Sequence, residues 1–274
     1  MPKLHLPDVT LAVCETRLHP LAKLAVEDCL ALADFAETVV VSDRPFGIPG
    51  ERHVPIADIA SREELGRFGW TQSWKHIETS HSLAIQYDSW ILAPEMWDDG
   101  FLAYDYIGAP WWYFGDRNVG NGGFALYSRR LLRHIAENGD KYPHAEPSDE
   151  VLCRTYRPAL EAEGFRWAPE DVALRFSFER TGWTPASRHF GFHGVFNWPR
   201  VLTRERLIER LSLCNYRHFT DPRSVPEALA LIPPDELVDV IDRISEGRRA
   251  RERAEAAERS ILRRAYRLMT GQRR

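Results

Sequence analysis

The sequence predicts an α/β fold: a mostly parallel sheet flanked by helices, with a helical C-terminal extension. Three observations carry this. Residues 9–45 read strand, helix, strand, and a βαβ unit of that length implies parallel strands joined by a right-handed crossover. Strand-length apolar runs then keep alternating with helical periods as far as residue 200. From residue 224 onward only the helical period remains.

In order along the chain, "VTLAVCETR" (9–17) is a short apolar, β-rich run and reads as a buried strand. "HPLAKLAVEDCLALADF" (19–35) spaces its apolar residues as a helix does, with Pro20 in the first turn. "ETVVVSDRP" (37–45) is a second strand, and 46–60 read as loop. "SREELGRFGWTQSWKHIETS" (61–80) opens with Ser61 and Glu64 in a capping-box pattern and predicts a helix. "HSLAIQYDSWIL" (81–92) is a strand whose apolar run breaks at Gln86–Asp88, and "YDYIGAPWW" (104–112) is a strand and turn. "NGGFALYSRRLLRHIAENG" (121–139) passes from glycines through a strand into a helix closed by Gly139. "SDEVLCRTYRPALEAEG" (148–164) predicts a helix with Ser148 as N-cap and Gly164 as stop. "FRWAPEDVALRFSFE" (165–179) reads as a strand and turn, and "FGFHGVFNWP" (190–199) as a loop. The rest, 224–274, is helical and broken at Pro233–Pro234. We divide the chain into a unit over residues 1–213 and a helical extension with an Arg-rich tail over 214–274.

Composition narrows the class. With 274 residues, 44% hydrophobic, the chain can bury one large core plus an appendage. No apolar run is long enough for a transmembrane helix, and "MPKLHLPDVTLAV" lacks the features of a signal peptide, so a cytoplasmic protein is expected. Cys14, Cys29, Cys153 and Cys214 are scattered without a CxxC pair, which argues against a zinc knuckle, a redox motif or a disulfide framework. Net charge is −4, yet residues 246–274 hold ten Arg and four Glu and carry +6, leaving −10 on the rest. An acidic body of this kind is a poor nucleic-acid binder. Nine Trp supply flat apolar area that suits sugar rings as well as a core.

Ligands of open α/β sheets sit beyond the carboxyl ends of the strands. Glu15, Asp43 and Asp88 all fall where predicted strands end. Asp88, emerging from "LAIQY", is placed either to hold a divalent cation or to cap a turn. Asp149 and Glu150 open a helix, where a carboxylate complements the dipole or serves as a general base. His193, between glycines in "GFHG", fits a metal or phosphate role as well as it fits a hydrogen-bonded loop histidine. "GNGGF" (120–124) needs either backbone conformations open to glycine or another molecule close to the backbone.

Five segments in one order, "IQYDSWIL", "WDDGFLAYDYIGAPWW", "VGNGGFALYSRRLL", "RFSFE" and "FGFHGVFN", resemble the bacterial family catalogued as domain of unknown function 5672, regarded as glycosyltransferases. The resemblance spans residues 9–200. It implies a GT-A-type, Rossmann-like fold that binds a UDP- or GDP-linked sugar. It implies an Asp-x-Asp site at Gln86-Tyr87-Asp88, where Gln86 departs from the pattern and leaves Asp88 as the carboxylate for Mn²⁺ or Mg²⁺. Glu15, Asp43 and Gln86 would then help bind the donor, with His193 as a second metal or pyrophosphate contact. Glu150 or Asp149 would deprotonate the acceptor in an inverting displacement. Gly120, Asn121, Gly122 and Gly123 would line the sugar and acceptor pocket, with Trp111 and Trp112 stacking on the acceptor. The function implied is transfer of a sugar to a glycan or cell-surface polysaccharide. A non-catalytic nucleotide- or sugar-binding protein of the same fold is the alternative, and a nucleotidyltransferase a third. Residues 246–274 read as an amphipathic helix able to touch the inner face of a membrane, with Ile261, Leu262, Ala265, Tyr266, Leu268 and Met269 opposite Arg259, Arg263, Arg264 and Arg267. A solvated or dimer-forming helix fits that stretch equally well.

Overall fold

A computed structural model describes residues 2–57, 59, 61–214 and 224–270. The first βαβ unit forms as its pattern predicts: β1 (Leu4–Cys14), α1 (His19–Leu32) and β2 (Ala33–Ser42), with Pro20 in the first turn of the helix. The strands are parallel, Leu11 opposite Thr38 and Val13 opposite Val40. Next come β3 (Glu51–Pro55), α2 (Arg62–Thr71), β4 (His81–Ile85), β5 (Ser89–Ile91), β6 (Tyr106–Ile107) and β7 (Phe124–Ser128). The main sheet has the order β3-β2-β1-β4-β7-β6. Neighbours from β3 to β4 pair in parallel, and β7 pairs antiparallel with both β4 and β6. The α/β class with a mostly parallel sheet is therefore observed.

Local signals explain most boundaries. Ser61 Oγ accepts from the Glu64 amide at 3.1 Å, the capping expected at the start of α2. Ser128 Oγ caps α3 (Arg129–Glu137) by accepting from Leu131 N. Next runs a helix in three segments: α4 (Ser148–Glu150), a π-helical stretch (Val151–Tyr156) and α5 (Arg157–Ala162). It stops at Gly164, whose φ of +88° terminates it as predicted. Ser148, however, is not its cap. Pro147 holds that position, and the Ser148 hydroxyl donates to Glu146 Oε1 instead.

Four further expectations need correction. Residues 46–60 contain the edge strand β3, which the polar run Glu51-Arg52-His53 conceals. The run 81–92 is two strands, because the chain turns at Gln86–Asp88 and β5 joins a second sheet. Residues 165–179 form mainly the helix α6 (Glu170–Phe176) before the short strand β8 (Ser177–Phe178). Pro169 at the N-cap and Glu170 and Asp171 in the first turn outweigh the β-prone aromatics there. The 190–199 segment is not all loop: β9 (Gly191–His193) completes the second sheet, in the order β5-β9-β8.

The core runs through both sheets. Phe124, Phe176 and Phe190 pack with ring centroids 5.3–5.9 Å apart and tie β7 to the second sheet. Trp90 on β5 meets Phe192 on β9 edge-on at 4.5 Å. Helices α7 (Trp198–Val201), α8 (Arg204–Leu213), α9 (Ser224–Leu229) and α10 (Pro234–Thr270) follow, and α10 packs on α8. The helical extension with its break at Pro233 is thus observed over 224–270. No described helix is long and apolar enough to cross a membrane. The two-sided arrangement expected of Arg259, Ile261, Leu262, Arg263, Arg264, Ala265, Tyr266, Arg267, Leu268 and Met269 lies outside the described side chains.

Asp105, only 2% exposed, stitches the far end of the main sheet together. Its carboxylate accepts from Ser128 Oγ, Arg166 N and the Arg130 guanidinium. Arg130 is more than half exposed and can turn to water, but the buried Ser128 hydroxyl and the Arg166 amide would lose their acceptor, so Asp105→Ala should cost about 1–3 kcal/mol. Chemical denaturation of the variant checks this.

Candidate functional site

The site is built where the chain leaves the main sheet. The turn Gln86–Asp88 joins β4 to β5. Gln86 N donates to Gly123 O at 3.1 Å, and Ser89 Oγ donates to the same carbonyl at 2.7 Å. The turn is therefore fastened to the glycine segment that enters β7. Asp88 is 5% exposed, and its backbone carbonyl accepts from Gly194 N at 3.1 Å. Its Oδ1 has no hydrogen-bond donor and lies 3.5 Å from His193 Nε2, too far for a full hydrogen bond.

His193 ends β9, and β8 runs parallel beside it with Phe178 opposite Phe192. That register brings Glu179, the next residue, alongside the imidazole: Nδ1 donates to Glu179 Oε1 at 3.2 Å. Asn197, fully buried, donates to the backbone carbonyls of both Glu179 and His193 and is itself held by Arg200. Gly194 takes a φ of +103°, which a Cβ-bearing residue rarely adopts, and so turns the chain back sharply after His193. Burial by itself would push the imidazole's pKa down. The Asp88 and Glu179 carboxylates on its two sides outweigh this and raise it to about 10.

The glycine segment serves this arrangement. A Cβ on Gly123 would overlap the His193 ring, one on Gly120 would overlap the Trp111 ring, and one on Gly122 would crowd Asp149 at 3.2 Å. The molecules close to the backbone are thus this chain's own side chains, which corrects the expectation of a pyranose lying against the glycines. Asn121, 5% exposed, closes the turn by accepting from Gly123 N. Trp111 is 4% exposed behind Gly120 and cannot stack on an acceptor, whereas Trp112 is 64% exposed.

Asp149 and Glu150 open the helix as predicted, and they divide the work there. Asp149 Oδ2 accepts from Gly122 N at 3.2 Å and Oδ1 from Glu150 N at 3.0 Å, so this residue ties the helix start to the glycine segment. Glu150 is half-buried beside it. The Tyr113 hydroxyl has its pKa raised by partial burial and then by the carboxylates of Glu150, Asp149 and Glu179.

Glu15 and Asp43 lie on the same edge of the sheet, at the ends of β1 and β2. Their contacts among the described residues are to other groups than Asp88 and His193. Glu15 Oε1 accepts from the amides of Arg17 and Leu18. Asp43 Oδ1 pairs with His19 Nε2 at 2.5 Å, while His19 Nδ1 accepts from Arg44. Burial would raise the Asp43 pKa, but the His19 contact wins and holds it below the usual carboxylate range.

Asp88 Oδ1 and His193 Nε2 face each other at 3.5 Å, and that oxygen makes no hydrogen bond. Glu179 on Nδ1 leaves Nε2 turned toward Asp88, as the outer carboxylate of a metal-bound histidine orients its ring. Among the described residues no group of three His, Cys, Asp or Glu forms a cage by itself. The pair suits a divalent cation whose remaining ligands are oxygens of a bound phosphate or water. Residue order could locate Asp88 and His193. Glu179, Asn197 and Tyr113 emerge only from the β8–β9 register and the loop packing.

Two outcomes follow. Gly123→Ala should displace the His193 ring and cost about 1–3 kcal/mol, seen as a lower melting temperature and altered imidazole resonances. In metal-free protein the His193 pKa is raised above its unfolded value of 6.5. Its stabilising contribution is therefore complete below pH 6.5 and fades as pH rises toward 10. Nitrogen-detected NMR should find the ring doubly protonated at pH 8, with the denaturation midpoint falling above neutrality by less in His193→Gln.

No curated protein matches the chain. Among solved structures it is similar to a glycosyltransferase involved in glycosylating the major capsid of PBCV-1, with 12% identity and a TM-score of 0.44 over 68% of this chain and 91% of that one. A mannosyltransferase from Pyrobaculum calidifontis, solved with GDP-Man and Mn²⁺, is 14% identical with a TM-score of 0.40 over 98% and 84% of the two chains. Glucosyl-3-phosphoglycerate synthase from Mycobacterium tuberculosis, solved with Mn²⁺, UDP and phosphoglyceric acid, is 13% identical with a TM-score of 0.32 over 45% and 56%. Identities this low leave the chemistry to this chain's own residues. The family described as Protein of unknown function (DUF5672) matches residues 52–193, more than half of the chain and all of Asp88, Gly123, Glu150, Glu179 and His193, and the chain belongs to that family.

Proposed function

We propose that this protein is a glycosyltransferase. It moves a sugar from a UDP- or GDP-linked donor to a hydroxyl of a glycan or cell-surface polysaccharide, with inversion and with Mn²⁺ or Mg²⁺ bound. The observation that carries the reading is the Asp88–His193 pair at the end of β4. Asp88 Oδ1 is buried, makes no hydrogen bond and lies 3.5 Å from an imidazole whose other nitrogen is already taken. Asp88 and Glu179 flank that single imidazole with two negative charges. A diphosphate would be repelled from such a place unless a cation came with it.

Asp88 and His193 would hold that cation, which when bound supplies charge neutralisation for the departing diphosphate. The exposed Gln86 would hydrogen-bond the donor, and Glu15 and Asp43 stand at the strand ends where its nucleoside would lie. Glu150 is the base. It takes the proton from the acceptor hydroxyl as that oxygen bonds to the anomeric carbon. The bond from that carbon to the phosphate oxygen breaks on the opposite face, and the nucleoside diphosphate carries away the electron pair. Asp149, with both oxygens engaged by backbone amides, holds Glu150 in place. We assign the catalytic unit to residues 1–213 and regard 214–274 as its extension.

Asp88→Asn should lower sugar transfer on the order of a hundredfold or more, as loss of a charge-stabilising group does. Glu150→Gln should reduce kcat by about 10²–10⁴ while leaving donor affinity unchanged. Turnover of UDP- and GDP-sugars by wild type and both variants checks this. Undiminished turnover in Asp88→Asn would contradict the reading. Donor binding without any turnover in wild type would favour a non-catalytic sugar-nucleotide binder.

A further inference from the structure

Five of the nine Trp are core residues, yet Trp112 is 64% exposed and its neighbour Tyr113 is 52% exposed. Large aromatic side chains held out of the core mark a contact surface. These two are not a loose tip. The loop that carries them closes through the Pro110–Val119 bridge and a 2.8 Å hydrogen bond from Trp111 N to Asn118 O. Trp111 is buried against Gly120 beneath them. Tyr113 packs on Phe114 at 4.5 Å, and the Arg154 guanidinium lies 3.7 Å above the Phe114 ring while paired with Asp116. Trp112 and Tyr113 meet at 5.6 Å and 83°, so they present a fixed corner with two faces.

The corner borders the acidic side of the site. Beneath it Gly120 leads into Gly122, whose amide is bound by Asp149. Asp149, fixed by the Gly122 and Glu150 amides, and Glu150 beside it stand at this border, and burial and then the carboxylates of Glu150, Asp149 and Glu179 raise the Tyr113 pKa; Arg154 and Arg117, the described cations at the loop, both pair with Asp116. A rigid aromatic corner suits the apolar face of a pyranose ring. The surplus negative charge suits a ring that carries none of its own.

We infer that Trp112 and Tyr113 form the acceptor subsite, and that Glu150, Asp149 and Glu179 make it select glycans of uncharged or amino-bearing sugars over carboxylated or phosphorylated ones. This rests on the glycosyltransferase reading and names its acceptor class. An ammonium group on the acceptor is attracted by the same carboxylates that repel a uronate, and salt weakens both effects.

The test is calorimetric binding of three hexasaccharides to the full chain: N-acetylglucosamine, glucosamine and galacturonic acid oligomers. The glucosamine oligomer should bind tightest and the galacturonate at least about tenfold more weakly than the neutral one, with the gap narrowing as salt is raised. Trp112→Ala should weaken the two binding oligomers about tenfold, the scale of one lost stacking contact. Equal or tighter binding of the galacturonate, binding of none of the three, or binding untouched by Trp112→Ala overturns the assignment. Hydrolysis of the nucleotide-sugar without acceptor separates the two claims. If hydrolysis persists while discrimination is absent, only the acceptor assignment falls. If no donor is hydrolysed, the glycosyltransferase reading falls.

Discussion

The imidazole of His193, held between two carboxylates, is the contact on which the rest of the site depends. Asp88 approaches it from the turn after β4 and Glu179 from the end of β8. Gly123 gives it space from the strand that pairs with β4. Three chain segments far apart in sequence thus meet at one ring. The ring is buried in a place that disfavours its charge, and two neighbouring anions restore that charge. Without the ring, Asp88 and Glu179 would face each other as buried like charges. Without either acid, the ring's orientation would be unspecified.

The architecture makes this meeting point unavoidable. A parallel strand must deliver its end to the same edge of the sheet as its neighbours, so Glu15, Asp43 and Gln86 share one rim. The antiparallel β7 runs the other way, so its beginning, and the glycines before it, arrive at that same rim. The second sheet is hung from the turn at Asp88 and returns β9 antiparallel to β5, Ser89 opposite His193. Asn197 clips the ends of β8 and β9 with one amide group and fixes the spacing of Glu179 and His193. The groups that do chemistry are thus set by backbone pairing and need little from flexible side chains.

Much of this was legible in the sequence, and the reasons for the rest are specific. The first βαβ unit, the Ser61 cap, Gly164 as a stop and Asp88 at a strand end follow from periodicity and capping, which are local. β3 escaped because an edge strand facing solvent needs no apolar alternation, and Glu51-Arg52-His53 shows none. α6 was masked because its Phe176 packs among aromatics of the core, a tertiary fact that resembles strand composition. The glycines of 120–123 signalled a close approach correctly, but the sequence does not say by what. His193 and Trp111 are 70 residues downstream and nine upstream of the nearest of those glycines, and only the fold shows that they fill the space. Glu179 closes a segment that reads as a strand and turn. It becomes part of the site through a register that no local pattern encodes.

The account's central claim is that Asp88 and His193 bring a cation and a nucleoside diphosphate together at the end of β4. Calorimetric titration of UDP and of GDP, with Mn²⁺ and then with a chelator, addresses it directly in wild type and in His193→Ala and Asp88→Asn. The account predicts binding of at least one nucleotide that requires Mn²⁺ and is lost in both variants. Binding of equal strength without the cation, or retained in both variants, would contradict it.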